Sequence, residues 1–187
     1  MYQMMSSTES KTVAPDEATM SMDVITFAAR ECVLGQVLVA RSAVGVCAIL
    51  IGADAEELKN DLAKRFPGSS LIANEPRLRA DLSKVVRLLA TPREGIDLRL
   101  DIRGTSFQRL VWDALRAIPV GSTVTYAELA RRIGAPRSTR AVAGACAANP
   151  IALAIPCHRV IRSDGALSGY RWGVERKRVL LRKEAAA

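Results

Sequence analysis

The chain has 187 residues, 49% of them hydrophobic and 25% charged, with a formal net charge of +8. That length accommodates one domain or two small lobes on a shared core, and the composition excludes a disordered tail or a solenoid. The longest weakly polar stretch, Ala43 to Ala53, is too short to cross a bilayer, and the amino-terminal residues hold no apolar core of a signal peptide, so a cytosolic or nuclear protein with no membrane partner is expected.

Residues 1–22 are polar and aperiodic and read as a disordered leader. From Asp23 the pattern changes. Val24–Ala29, Gln36–Arg41 and Val44–Ile51 are short, β-branched and apolar, with turn signals at Gly35 and Ser42, which predicts a small antiparallel sheet. Asp54 and Glu57 form a capping-box pattern ahead of a helix that Pro67-Gly68 stops near Phe66. A second helix is expected from about Glu75 to Leu89, then a lobe boundary at Pro92 to Gly95 and a strand near Leu98–Ile102.

Beyond that boundary the pattern turns helical. Phe107, Leu110, Val111, Ala114, Leu115 and Ile118 recur at helical spacing behind a capping Thr105. Thr125 and Glu128 open another helix, which ends near Ile133-Gly134. After Gly134-Ala135-Pro136, Ser138 opens a helix to about Ala148. Helix, tight glycine turn, helix is the helix-turn-helix pattern. Its second helix is nearly bare: Ala141, Ala143, Gly144, Ala145, Ala147 and Ala148 follow Arg137 and Arg140. Small side chains allow close approach to a neighbouring helix or to a DNA groove, and the leading arginines favour the groove. An α/β (α+β) fold is expected: an amino-terminal lobe over 23–92 with a small antiparallel sheet and helices, then a mostly helical carboxy-terminal lobe over 93–187 with the helix-turn-helix and a short active-site strand, Ile151–Ile155.

Charge follows the same division. Residues 1–92 carry ten Lys and Arg against eleven Asp and Glu; residues 93–187 carry seventeen against eight. Fifteen of those seventeen cations are arginines, the side chain that forks onto phosphate, so the back half is expected to meet an anionic partner, foremost nucleic acid. The four cysteines, Cys32, Cys47, Cys146 and Cys157, form no C-x-x-C pair, and no metal or cofactor is expected. Cys157 directly precedes the sole histidine, His158. Burial between Pro156 and that histidine raises a thiol's pKa, so its reactivity needs a base; on a strand the two side chains point to opposite faces and would need a bend or a bridging water to communicate.

Ile155-Pro156-Cys157-His158-Arg159-Val160 resembles the active-site motif of the O6-alkylguanine-DNA alkyltransferases (methylated-DNA–protein-cysteine methyltransferases). Thr125-Tyr126, Arg140-Ala141-Val142, Asn149-Pro150, Ser168 to Gly173 and Asp101 to Thr105 support the resemblance, which runs from about residue 23 to the end. It implies a ribonuclease H-like front lobe, a bacterial cytosolic, nucleoid-associated repair protein, and suicide transfer of the alkyl group from O6-alkylguanine, and from O4-methylthymine, in duplex DNA to Cys157. His158 would take the thiol proton, Glu184 orient that histidine, Asn149 tie the recognition helix to the active-site segment, and Tyr126 protonate the departing guanine. Arg140 would fill the space left by the flipped base from the minor groove; Arg137, Tyr126, Ser163 and Gln108 would also meet DNA, and Pro156, Val160, Ser168, Gly169 and Tyr170 would wall the pocket. A monomer is expected, with cooperativity on DNA left open. The zinc module of the larger, transcription-activating members is absent, so their gene regulation is not implied. Two other readings remain at this point: a sensor of alkylated bases that recruits other factors, and a Cys-His-Glu hydrolase.

Overall fold

A computed structural model describes residues 23–167 and 169–187; the expected leader over 1–22 and the pocket residue Ser168 lie outside the described residues. β1 (Val24–Cys32), β2 (Gly35–Arg41) and β3 (Val46–Gly52) form an antiparallel meander, followed by α1 (Ala55–Arg65), β4 (Ser70–Ala73) and α2 (Glu75–Ala90). The sheet order is β3-β2-β1-β4, and β4 runs parallel to β1. The chain goes on through a 3₁₀ turn at Pro92–Glu94 to α3 (Ser106–Arg116), β5 (Val124–Thr125), α4 (Tyr126–Arg132), α5 (Thr139–Ala148), a 3₁₀ turn at Cys157–Arg159, β6 (Val160–Ile161) and α6 (Val174–Ala185).

The mixed α/β architecture and its antiparallel-dominated sheet agree with the sequence reading; several boundaries do not. β3 starts at Val46 because the Ser42 hydroxyl accepts from the Val44 amide and closes a turn, leaving Val44 exposed. β4 was not foreseen, since four residues beside a Pro-Gly stop carry too little pattern. The expected strand at Leu98–Ile102 reduces to one bridge, Leu100 to Val46, and that at Ile151–Ile155 to one bridge, Ile151 to Ile49. Beyond Ile151 the backbone turns, with Leu153 at φ 69°. Leu110 lies exposed, and Trp112 takes the buried place instead, its indole N–H donating to the Ala145 carbonyl at 2.8 Å. Ser138 sits at the start of α5 without capping it through its side chain. The Asp54 and Thr125 side chains each accept from the amide three residues on, whereas Thr105 and Gln108 complete a reciprocal capping box.

β3 is the seam of the molecule. Six of its seven residues are buried. One side supports α1, where Gly52 leaves room for Leu58: a β-carbon there would lie 2.9 Å from the leucine. Its free edge is closed by the back half, since the Val46 amide donates to Arg99 O (2.8 Å) and the Ile49 amide to Pro150 O (2.9 Å), while the Asp101 and Ala152 amides donate back. Two stretches of the second half thus complete the first half's sheet edge, which otherwise exposes unpaired amides and carbonyls. The contiguous core runs from Ile25 through Trp112 and Val142 to Cys157 and Leu180. The segment before Cys157 is therefore anchored by main-chain bonds to the most buried strand.

Candidate active site

Asn149 ends α5 and is fully buried. Its carbonyl oxygen accepts from the Ile151 amide at 2.9 Å, and its Nδ2 donates to the Ile155 carbonyl at 2.8 Å and to Cys157 Sγ at 3.3 Å. One amide side chain thus pins both ends of the turn joining the helix to the cysteine. Cys157 is 5% exposed and opens a 3₁₀ turn, not a strand, so the expected opposition of Cys157 and His158 across a strand is corrected. The reason is local: the Cys157 amide donates to the Ile155 carbonyl and the Arg159 amide to the Pro156 carbonyl, a tight coil no ladder can share.

Burial pushes the Cys157 thiol up to about 11, against the opposing effects of the Asn149 amide and the Lys177 ammonium. At neutral pH it rests as a thiol, and any attack needs its proton removed. His158 is 2% exposed. Its Nε2 meets Glu184 Oε1 at 2.7 Å, while its Nδ1 is buried without a protein partner. Glu184 accepts in addition from Arg159, through Nε at 3.0 Å and Nη2 at 2.9 Å, and from the Gly121 amide at 3.3 Å. Burial by itself raises the Glu184 carboxyl, but the His158 and Arg159 hydrogen bonds outweigh it and hold it down at about 2.

Burial decides the state of the histidine, and the shared carboxylate opposes it. Burial lowers His158 below its usual range; Glu184 pulls it up, and Arg159 and Lys177 push it down again. The imidazole therefore stays neutral near pH 7. Its Nε2–H donates to the carboxylate, which leaves the Nδ1 lone pair to receive a proton. Burial is the largest of these effects and keeps the pair from settling as an imidazolium; Arg159, on the same carboxylate, acts in the same direction.

Lys177 is completely buried and donates to the Val160 carbonyl at 2.6 Å. Tyr170 stacks edge-on to His158 (6.4 Å between centroids) and to Trp172 (5.2 Å). The Tyr170 hydroxyl and the Trp172 indole N–H are buried without protein partners. Tyr126, at the start of α4, donates to the Gly169 carbonyl at 3.4 Å, and burial pushes its phenol up to about 12. It remains a proton donor across the physiological range. Gly169 sits at φ +64°, and a β-carbon there would stand 3.4 Å from the Tyr126 hydroxyl, so glycine serves both the turn and the approach.

The structure brings Cys157, His158, Glu184, Asn149, Tyr126, Pro156, Val160, Gly169 and Tyr170 to one place around the Asn149 turn. Arg137, Arg140, Ser163 and Gln108 lie outside it. The inner face of α5 carries Val142, Ala145 and Cys146; its outer face presents Arg140, Ala141, Gly144 and Ala147 to solvent. A β-carbon on Gly144 would meet nothing within 4 Å, which makes this outer face flat. Arg137 is exposed just before it, and Ser163 is exposed in the turn after β6. Gln108 is engaged in the capping box of α3. Sequence reasoning missed Lys177 and the partner of Arg159. Lys177 sits among arginines in a helix that reads as uniformly solvated, so no local signal separates the one buried cation from its neighbours.

No helix among the described residues is long and apolar enough to cross a membrane. Among them no cluster of three or more His, Cys, Asp or Glu can hold a metal ion.

Residues 106–186 match the model of the 6-O-methylguanine DNA methyltransferase DNA-binding domain. The chain is 50% identical over 161 residues to the bifunctional transcriptional activator/DNA repair enzyme Ada of Escherichia coli, covering 86% of this chain but 46% of that protein. The chain thus spans about half the length of such relatives. It is 41% identical over 132 residues to the inducible methylated-DNA–protein-cysteine methyltransferase of Bacillus subtilis, covering 71% of this chain and 74% of the relative. Among solved structures, that of Mycobacterium tuberculosis OGT in complex with DNA superposes with a TM-score of 0.71 at 32% identity, covering 87% of this chain and 93% of the other.

Proposed function

The chain belongs to the O6-alkylguanine-DNA alkyltransferase family of DNA repair proteins, and from that premise we propose that it moves the alkyl group from O6-alkylguanine in duplex DNA to Cys157, once per protein molecule. The observation that carries this reading is a neutral, buried His158 held at Nε2 by a carboxylate it shares with Arg159, with Nδ1 unpartnered, in the residue that directly follows the buried thiol of Cys157. O4-methylthymine is the second substrate of the proposal, and the monomer is the acting unit.

In the proposed reaction Cys157 Sγ attacks the alkyl carbon as the thiol proton passes to His158 Nδ1, directly or through a water. The new S–C bond forms as the C–O6 bond breaks, and the electron pair of that bond stays on guanine. Tyr126, still protonated, gives its proton to the departing guanine, and the proton taken up by His158 restores the Tyr126 phenol through solvent. The product is a thioether, which water does not reverse, so the protein is consumed. Asn149 holds the sulfur in line, and Glu184 and Arg159 fix the tautomer of His158.

A base inside a duplex is out of reach of a buried thiol, so the nucleotide must leave the stack, at a cost of a few kcal/mol. The flat outer face of α5 suits a narrow groove, and Arg140, exposed at its start, would fill the gap. Arg137 and Ser163 flank that face on the proposed DNA side. Pro156, Val160, Gly169 and Tyr170 wall the pocket.

Intact mass after incubation with a duplex carrying one O6-methylguanine tests the reading: a gain of about 14 Da on the Cys157 peptide is expected, and none in Cys157→Ala, which still binds the duplex. Binding without mass gain in the parent protein would leave the sensor reading in its place; repeated turnover would leave the hydrolase. Arg140→Ala is expected to slow transfer from duplex at least tenfold while leaving transfer from free O6-methylguanine base within twofold. Equal loss on both substrates would remove Arg140 from the flipping step.

A further inference from the structure

Between the two halves lies a cavity of about 380 Å³ that Cys157 does not line, walled by Arg65, Phe66, Ser69, Arg103, Gln108 and Ala148. It opens where the carboxy-terminal end of α1, the amino-terminal turn of α3 and the last residue of α5 meet. Two guanidinium groups and no carboxylate line it. The carboxylates that balance those arginines stand elsewhere. Arg103 is tied to Asp23 and Asp101. Asp61 alone serves two arginines, Arg65 at 3.1 Å and Arg171 at 2.7 Å.

Arg65 is the unusual member. Its side chain is 13% exposed, its Nε donates to Asp61, and its Nη1 reaches the Ala148 carbonyl only at 3.5 Å. Its Nη2 is buried with no protein partner. A buried guanidinium that shares its one carboxylate and keeps an unpaired N–H is costly, and burial accordingly depresses its pKa even with Asp61 beside it. An oxyanion in the adjoining cavity would complete both its charge and its fork, which matches two oxygens of a phosphate. The mechanism of alkyl transfer makes no use of this arginine, and it lies in the front half, whose charge is otherwise balanced.

We infer that this cavity is a phosphate site of the front half, in which Arg65, with Gln108 and Ser69 at its rim, holds a backbone phosphate of the DNA lying along α5. The inference rests on the proposed DNA reading and extends the DNA footprint beyond the helix-turn-helix. The geometry favours DNA as the source of the phosphate because the cavity sits at the end of α5, the helix proposed to enter the groove, and beside the first turn of α3.

The test is binding of the full chain to an undamaged duplex, measured by fluorescence anisotropy across a salt series. Three proteins are compared: the parent, Arg65→Met, which keeps the stem, and Ser69→Glu, which leaves Arg65 in place and sets a carboxylate at the cavity wall. Both variants are expected to lower the slope of log K against log salt by about one, the counterion release of one phosphate contact. Circular dichroism reports whether Arg65→Met folds; if it does not, Ser69→Glu decides alone. An unchanged slope in a folded variant overturns the inference and leaves the DNA reading intact, whereas failure of the parent to bind duplex overturns both. Inorganic phosphate, followed through the Arg65 side-chain nitrogen resonances, separates the sources. A shift with phosphate and no change in the DNA slope marks a free-anion site, against the inference.

Discussion

Each half of the molecule buries an arginine–carboxylate pair, and the two are built to different ends. In the front half Arg41 forks onto Asp81, with Nε at 2.8 Å and Nη2 at 3.2 Å, tying β2 to α2. The pair is closed: neither partner leaves a buried polar atom unmatched. In the back half Arg159 forks onto Glu184 in much the same way, but His158 uses the same carboxylate. Around it His158 Nδ1, Tyr170 Oη and Trp172 Nε1 are buried without protein partners. Of the four such atoms among the described residues, three stand here and the fourth is on Arg65. A structural ion pair satisfies every group it buries; a reactive one keeps some in reserve for substrate, proton or water. On the proposed reading, unsatisfied buried groups mark places that await a ligand or a proton, which the closed Arg41–Asp81 pair does not.

The largest expected effect is on the back pair. Glu184→Gln keeps the shape and removes the charge, leaving Arg159 buried without its counter-ion and His158 without its orienting anion. Transfer to Cys157, followed by intact mass under single-turnover conditions, is expected to slow by about 10²-fold or more, with a loss of about 3–5 kcal/mol in denaturant unfolding. An unchanged rate would put the proton acceptor elsewhere. Asp81→Asn is the matched change in the front half. It is expected to cost about 1–3 kcal/mol of stability, with the transfer rate unchanged in the folded protein. A rate loss as large as that of Glu184→Gln would erase the distinction between the two pairs.

The smallest effect is on pH, and its sign follows from the two shifts in the back pair. His158 is lowered by burial in the folded state, so the unfolded chain binds more protons below its ordinary value, and stability falls as pH drops through about 6.5. Glu184 is held at about 2 when folded against an ordinary 4.5, so its contribution is complete above pH 4.5 and is lost between there and about 2. Urea midpoints of the parent should therefore fall in two stages on acidification. In a His158→Asn variant the first stage should disappear while the second persists. Persistence of the first stage would mean that another group carries it.

Much of this was legible before any coordinates. The caps at Asp54, Thr105 and Thr125 mark helix starts because their hydroxyl or carboxylate oxygens answer amides three residues on, which is a local matter. The bare outer face of α5 follows from residue size and helical period alone. What escaped was non-local or faint. Leu98–Ile102 and Ile151–Ile155 look like strands by their apolar residues, yet each supplies a single bridge, since the edge of β3 accepts only a short run from either. Leu110 fits the apolar period of α3 and still faces solvent, while Trp112 is drawn inward by the Ala145 carbonyl.

By itself, the sequence determined the chemical inventory: one histidine beside one cysteine, a basic arginine-rich second half, and a helix-turn-helix with a bare second helix. These depend on residue type, charge and short-range periodicity, all of which can be read along a chain. The family resemblance pointed to Glu184 as the carboxylate for His158, but only the tertiary structure decided that Arg159 shares it, that Lys177 is the buried lysine of α6, and that Asn149 pins the sulfur. Glu184 lies 26 residues from His158, and nothing in the intervening sequence encodes their 2.7 Å contact. Only burial in a common core made that proximity, and the desolvation that comes with burial keeps the thiol and the imidazole neutral until a substrate arrives.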